Sequence, residues 1–449
     1  MKTYQDWLKV ADKGENERLS FIDTAIKDYK NSEDYRWAVD GDNYFNGLNT
    51  TIRRYEKILY NARGQAVKDY VSANHKIANR FFFRDVTQAC SVLLGNGITW
   101  DKKANGAGPN ALGADFDQRA IEALRLMQAH GKAYGFFNVD HVDIFGAKEF
   151  VPLVDEEDGM IKTGIRFWQL ADNKPLRATL YELDGYTEYM RESVQWSTIA
   201  EKRAYIEIIQ TSAADGEEVK EYMNYPSFPI VPVYANANRQ SELVALRPII
   251  DAIDLIQSGY ANDIDDANII YWTVTNCGGM DDADLVQMIN KLKKLHATQT
   301  DDEAQIQSHV VEPSFQGREA ILERLENQLY KDAMALNTYD LANGAVTATQ
   351  IEAAYEPLNE KLDIYETALT EFINSLLALA GVEDQPTYTR SILINRTEEI
   401  QAVVNAALYL EPEYITEKIM TILGDKDQVE AVLQKQDEAN LQRLTGGEA

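Results

Sequence analysis

Between Ile351 and Leu376, apolar residues fall at Ile351, Tyr355, Leu358, Leu362, Tyr365, Leu369, Phe372 and Leu376, stepping by four and three without a miss. This is an a/d heptad, and only a long helix with one continuous apolar stripe satisfies it. With its flanks the pattern covers roughly 34 residues, or about 50 Å of helix at ~1.5 Å per residue. Pro357 lies inside it and predicts a kink within the preceding turn. Taken alone, such a stripe is more often an ordinary core or coiled-coil helix than a functional one.

The rest of the chain supplies what the long helix packs among. Apolar residues near helical spacing through Leu8–Ile26 and Val67–Leu94 predict a mostly helical start up to about Gly95. The Gly/Asn-rich run GNGITWDKKANGAGPNALGADF reads as a strand remnant and a loop, followed by a helix from Phe116 to His130. Residues 134–234 are short Tyr/Phe/Val/Ile runs cut by Asp158-Gly159, Asp184-Gly185 and Asp215-Gly216, which predicts an antiparallel β-rich region. Pro226, Pro229 and Pro232 close it.

Ser241–Asp266 then turns helical, with Leu243, Leu246, Ile249, Ile250, Ile253 and Ile256 on one stripe and Ser241 as a candidate N-cap. A β-type run (IIYWTVTNCGG), a short helix (MDDADLVQMINKLKKLHA) and an alternating strand (QIQSHVVEP) come next. A second amphipathic helix spans Gly317–Leu336, and the polar stretch NTYDLANGAV leads into the heptad helix. A strand, YTRSILIN, follows Pro386, and the chain from Thr397 reads as helix with Gly424 as a stop. The order predicts an α+β fold.

Lys and Arg number 44 against 72 Asp and Glu, a net charge of −28. Phosphate affinity comes from Lys and Arg, so this balance opposes tight binding of nucleic acid while permitting DNA to slide past. Cys90 and Cys277 have no metal-type spacing and suit a reducing cytosol. The first residues hold no apolar signal core, and no run of about 18 apolar residues predicts a membrane helix. GxxxxGK[ST], HExxH, GxSxG and CxxC are all absent. The histidines His75, His130, His141, His296 and His309 are scattered. Asp265-Asp266, Asp281-Asp282 and Asp301-Asp302 lack the frame of a calcium loop and read as solvated helix ends and faces. No catalytic residue, metal site or cofactor is expected.

Five stretches, taken in order, resemble the portal proteins of tailed bacteriophages, in particular long-tailed phages of Gram-positive bacteria. NHKIANRFFFRDVTQACSVLLGNGI (74–98) is similar to the family's N-terminal helix and its terminal turn, although Leu93-Leu94-Gly95-Asn96-Gly97 lacks the usual Pro. AHGKAYGFFNVD (129–140) resembles the approach to the β-rich region, with Gly and Ala placed differently. FPIVPVYANANRQSELVALRPIIDAID (228–254) resembles the junction of proline-bearing strand, Asn-rich turn and stem helix, and is the most specific of the five. NGAVTATQIEAAYEPLNEKLDIYETAL (343–369) looks like the tunnel loop and long helix, and INRTEEIQAVVNAAL (394–408) like the passage into the crown.

The resemblance implies a domain plan. Residues 1–240 and 347–395 would form the wing, 241–271 and 313–337 the two stem helices, 272–312 the clip, 338–346 the tunnel loop and 396–449 the crown. It also implies a ring, typically of about twelve chains, at one capsid vertex of the virion, through which double-stranded DNA is packaged, retained and ejected. The expected partners are the terminase large subunit, head-tail adaptors, and capsid and scaffold proteins, with no membrane. Tyr339, Leu341, Asn343 and Gly344 would meet DNA in the tunnel loop. Asp251, Asp254, Asp263 and Asp266 (with Asp265 beside them) would line the channel as an acidic, low-friction wall. Trp272, Val274, Ile306 and Val310 would form the clip's docking surface, their strands pairing with neighbouring subunits. Two alternatives stay open at this point: a cytosolic enzyme with an acidic cleft, and another structural protein of the phage head.

Overall fold

The computed structural model describes residues 1–60, 63–70, 72–101, 109–193, 195–211, 218–267, 271–275, 305–309, 315–339, 348–391, 396–407 and 409–423, with isolated positions in 281–288 and 429–435. The chain opens with α1 (Tyr4–Ala11), α2 (Glu15–Lys30), α3 (Glu33–Phe45), α4 (Thr50–Arg54), β1 (Ile58–Tyr60) and β2 (Ala66–Lys68). There follow α5 (Phe81–Leu94), β3 (Ile98–Trp100), α6 (Pro109–Leu112), α7 (Phe116–His130), β4 (Lys132–Asn138) and β5 (His141–Gly146). A strand-rich stretch holds β6 (Phe150–Val154), β7 (Ile161–Gln169), β8 (Leu176–Glu182), β9 (Gly185–Glu192), β10 (Gln195–Arg203), β11 (Ile206–Thr211), β12 (Glu218–Met223) and β13 (Ile230–Tyr234). The last part contains α8 (Leu243–Ala267), β14 (Tyr271–Thr275), β15 (Gln305–His309), α9 (Phe315–Asp332), α10 (Ala348–Ala380), β16 (Pro386–Tyr388), α11 (Arg396–Ala406) and α12 (Pro412–Leu423).

The chain divides into two compact units. The first comprises Met1–Thr87, Arg125–Gly135 and Ile144–Ala333. Its main core lies between α1 and α2 on one side and the antiparallel meander β10-β9-β8-β7-β6 on the other. Trp7, Phe21, Ile22 and Tyr29 pack there against Val151, Ile165, Phe167 and Leu180. Leu153, Ile165 and Leu180 are alternate inward residues of paired strands, so one sheet face is apolar by the two-residue period. Tyr29 carries its hydroxyl into this core and donates to the Ala147 carbonyl at 2.7 Å. Gly159 and Gly185, at φ 71° and 138°, turn the chain between β6 and β7 and between β8 and β9, as the Asp-Gly pairs predict. Within the same unit α8 packs against α9.

The second unit comprises Gln88–Leu124, Phe136–Asp143 and Met334–Ala449. Its centre is α10, whose Leu358, Leu362, Leu369, Phe372 and Leu376 are all buried. The heptad stripe is thus a core stripe, and the helix runs on through Pro357. β16 pairs with β3, placing Tyr388 opposite Ile98.

Three predicted elements differ. Leu8–Ile26 is two helices, broken where Gly14 adopts the extended conformation that starts α2. Residues 67–70 and 72–80 are not helix: β2 occupies part of them and no helix forms before α5. The strand expected over YTRSILIN meets β16 only at Tyr388: residues 389–391 are not strand, and 392–395 lie outside the described residues. The helix expected around residues 280–297 and the Gly424 stop lie largely outside the described residues.

Candidate functional site

Helix α8 changes character along its buried face. Leu243, Leu246, Ile250 and Ile253 form its apolar first half, with Ser241 accepting the Leu243 N–H at 3.2 Å as the cap. The buried face then continues as Asp254, Ser258 and Asn262, which are 0%, 4% and 3% exposed and spaced by four. Four residues of helix rise about 6 Å and two residues of extended chain about 6.6 Å, so alternate residues of a strand can stay in step with such a stripe.

Residues 75–79 do this, running antiparallel to the helix. The Asn79 N–H donates to Asp254 Oδ1 at 3.0 Å, the Ile77 N–H to Ser258 Oγ at 3.0 Å and the His75 N–H to Asn262 Oδ1 at 2.7 Å. Asn79 Nδ2 adds a second donor to Asp254 Oδ1 at 2.5 Å, and Asn49 Nδ2 reaches Asp254 Oδ2 at 2.7 Å. Asn49 in turn caps α4 with its Oδ1, accepting from the Thr51 and Ile52 N–H groups. Burial raises the Asp254 carboxyl above its ordinary value, against the lowering effect of the Asn79 and Asn49 donors.

One turn earlier, Asp251 accepts from the Tyr44 hydroxyl at 2.5 Å and from Thr51 Oγ1 at 2.7 Å. Arg247 bridges Asp40 at 2.7 Å and lies 3.6 Å from Asp251. Further along, Asp263 forms an ion pair with Arg318 of α9, and Asp265 a hydrogen bond with His75. A cavity of about 400 Å³ opens beside these pairs, with Tyr55, Lys57, His75, Asn262 and Arg318 on its wall.

The expected channel acids therefore separate. Asp254 is fully buried and its charge is taken up by amide donors of the same unit, so the expectation that it lines a channel is corrected. Asp251 is likewise engaged with Tyr44 and Thr51. Asp263 keeps a side chain 40% exposed beside Arg318. The side chain of Asp266 lies outside the described residues. Trp272, Val274 and Ile306 sit on β14 and β15, which pair with each other, Val274 opposite Ile306 and Trp272 opposite Ser308. Val310 lies outside the described residues, as do Leu341, Asn343 and Gly344. Tyr339 is 73% exposed, and its N–H donates to Asn337 Oδ1 at 3.2 Å.

Sequence reasoning missed the strapped segment and its partners Asn49 and Asn79. The available signal was the four-residue spacing of Asp254, Ser258 and Asn262, which extends an apolar stripe with polar residues. Among the described residues no group of three or more His, Cys, Asp or Glu is placed to hold a metal. No helix among them is long and apolar enough to cross a membrane.

Residues 9–442 match the family described as phage portal protein, SPP1 Gp6-like. The chain belongs to this portal family. It is 28% identical over 194 residues to the portal protein of Clostridium phage phiCD119, a match that takes in 41% of this chain and 43% of that protein. It is 22% identical over 388 residues to the portal protein of Bacillus phage SPP1, over 79% of this chain and 74% of that protein. Clostridium and Bacillus are Gram-positive hosts, as the resemblance implied. Two solved structures, a native gene transfer agent virion and the neck of an empty gene transfer agent particle, are similar at 12% identity. They match 77% of this chain and 89% and 90% of theirs, with TM-scores of 0.43 and 0.44. As a portal protein the chain is a structural component of the virion and not an enzyme.

Proposed function

We propose that this portal chain assembles as a closed ring of about twelve copies at one capsid vertex, and that DNA enters and leaves the head through its centre. The observation that carries this reading is the excursion from α8 through β14 and β15 back to α9, two long helices packed side by side with a two-stranded ribbon at their far end. In this reading α8 and α9 are the stem, residues 272–312 the clip, 338–346 the tunnel loop, 396–449 the crown, and the remainder, 1–240 with 347–395, the wing. Asp263, with Asp265 and Asp266 on the last turn of α8, takes the place of the buried Asp254 as the acidic lining. Tyr339, Leu341, Asn343 and Gly344 supply soft contacts to DNA at the narrowest point.

The clip is the docking platform for the terminase large subunit and then for head-tail adaptors, while the outer parts meet capsid and scaffold proteins. A two-stranded ribbon is marginally stable alone, so β14–β15 gains from a partner laid against Trp272 and Val274. The test is removal of residues 278–304, which lie within the proposed clip and outside the proposed wing. Expected are normal folding by circular dichroism and loss of terminase and adaptor docking. A deleted protein that still packages DNA and joins a tail contradicts the clip assignment.

A further inference from the structure

The connection from α4 to α5 carries an outlying arm. β1 and β2 pair as a two-stranded ribbon, Leu59 opposite Val67 and Tyr60 opposite Ala66, and every residue of both strands is exposed. Ile58, Leu59 and Val67 are each about half exposed, while Tyr60 and Tyr70 are 76% and 82% exposed. An isolated ribbon of this size is marginal in water, and a cluster of exposed aliphatic and aromatic side chains marks a contact surface. Its base, by contrast, is firmly held. Asp69 is buried with its N–H on the Lys57 carbonyl at 2.9 Å, and residues 75–79 are strapped to α8 by the rungs at Asp254, Ser258 and Asn262.

Charge indicates what the arm meets. Residues 53–60 and 63–70 hold five Lys or Arg against two acids, a net of +3, so the rest of a chain of net −28 sums to −31. Copies of so acidic a chain repel one another, and this short basic stretch is the counter-charge that each copy carries. Duplex DNA would engage Arg54 or Arg63 but leave Ile58, Leu59 and Val67 in water. An acidic protein surface covers both kinds of group, and Tyr and Arg are the residues that anchor protein interfaces.

We infer that the arm at residues 53–60 and 63–70 seats on an acidic surface of a second copy of this chain, linking neighbours head to tail. The inference rests on the ring reading above, since a head-to-tail contact closes only as a ring.

The test is sedimentation velocity of the full chain at micromolar concentration in about 0.1 M and about 1 M salt, where screening shortens from ~10 Å to ~3 Å. Two variants accompany the wild type: Leu59→Ser/Tyr60→Ser/Val67→Ser, and Arg54→Glu/Arg63→Glu. The wild type is expected to form rings in low salt. The triple variant is expected to sediment as single chains with an unchanged thermal transition. The charge variant is expected to need about tenfold more protein to assemble, because acid then faces acid. If the triple variant loses its thermal transition, the charge variant alone decides. Wild-type rings with variant rings of equal stability overturn the arm's role and leave the ring reading standing. A charge variant that keeps its rings but loses binding to a short DNA duplex assigns the arm to DNA and overturns the proposal. A wild-type chain that stays single in both salts overturns the ring reading itself, and this inference with it.

Discussion

Asp254 shows how one side chain can join three separate stretches of sequence. Its two oxygens take donors from Asn49, which caps α4, and from Asn79, which leads into α5. Asp254→Ala leaves those buried amides without an acceptor and is expected to cost about 3 kcal/mol, read by chemical unfolding. The pH dependence has a definite sign. Burial raises the folded carboxyl above its ordinary value of 3.8, so the native state binds the proton more tightly than the unfolded chain within that window. Stability from this group is present below the window and declines as pH rises through it. Asp254→Asn does not titrate, so the stability of wild type minus that of Asp254→Asn should shrink as pH rises from about 3.8. A difference that grows over the same range contradicts a raised carboxyl.

At the scale of elements, two glycines in helices make opposite predictions. A Cβ on Gly41 of α3 would lie 1.9 Å from the Ala129 carbonyl oxygen of α7, and backbone cannot move aside as a side chain can. Gly41→Ala is expected to destabilise by about 3 kcal/mol, close to the upper end for overpacking. Gly259 of α8 has open space where its Cβ would stand, so Gly259→Ala should stabilise by up to about 1 kcal/mol through helix propensity. Thermal unfolding of the two variants, side by side, checks both signs.

Local signals account for what was legible at this scale. The apolar spacing from Phe116 to His130 gave α7 with its observed bounds, and the Asp-Gly pairs gave the hairpins of the meander. The heptad gave α10 and its buried face. Residues 67–80 failed because the backbone donors of His75, Ile77 and Asn79 find acceptors 175 to 187 positions away on α8, beyond the reach of any spacing rule. The channel reading of Asp254 failed for a related reason. A carboxylate has the same place in the helical pattern whether it faces solvent, as Asp265 does beside His75, or is buried like Asp254.

For the whole molecule the governing quantity is the charge of −28 per chain, which in a ring of about twelve comes to about −336 before counterions. Such a ring repels duplex DNA rather than gripping it, which favours passage. Adding one cation per chain in the proposed tunnel loop should therefore be felt: Asn343→Arg is expected to assemble normally yet package DNA poorly, the defect easing as salt rises. Lys331→Arg in α9 should change little. Wild-type packaging by Asn343→Arg at low salt contradicts the placement of that loop against DNA.

All of this depends on the ring, and negative-stain electron microscopy of the purified chain tests it most directly. Class averages are expected to show rings of about twelve subunits around a central hole. Fields of single subunits at micromolar concentration, across several salt concentrations, would contradict the account.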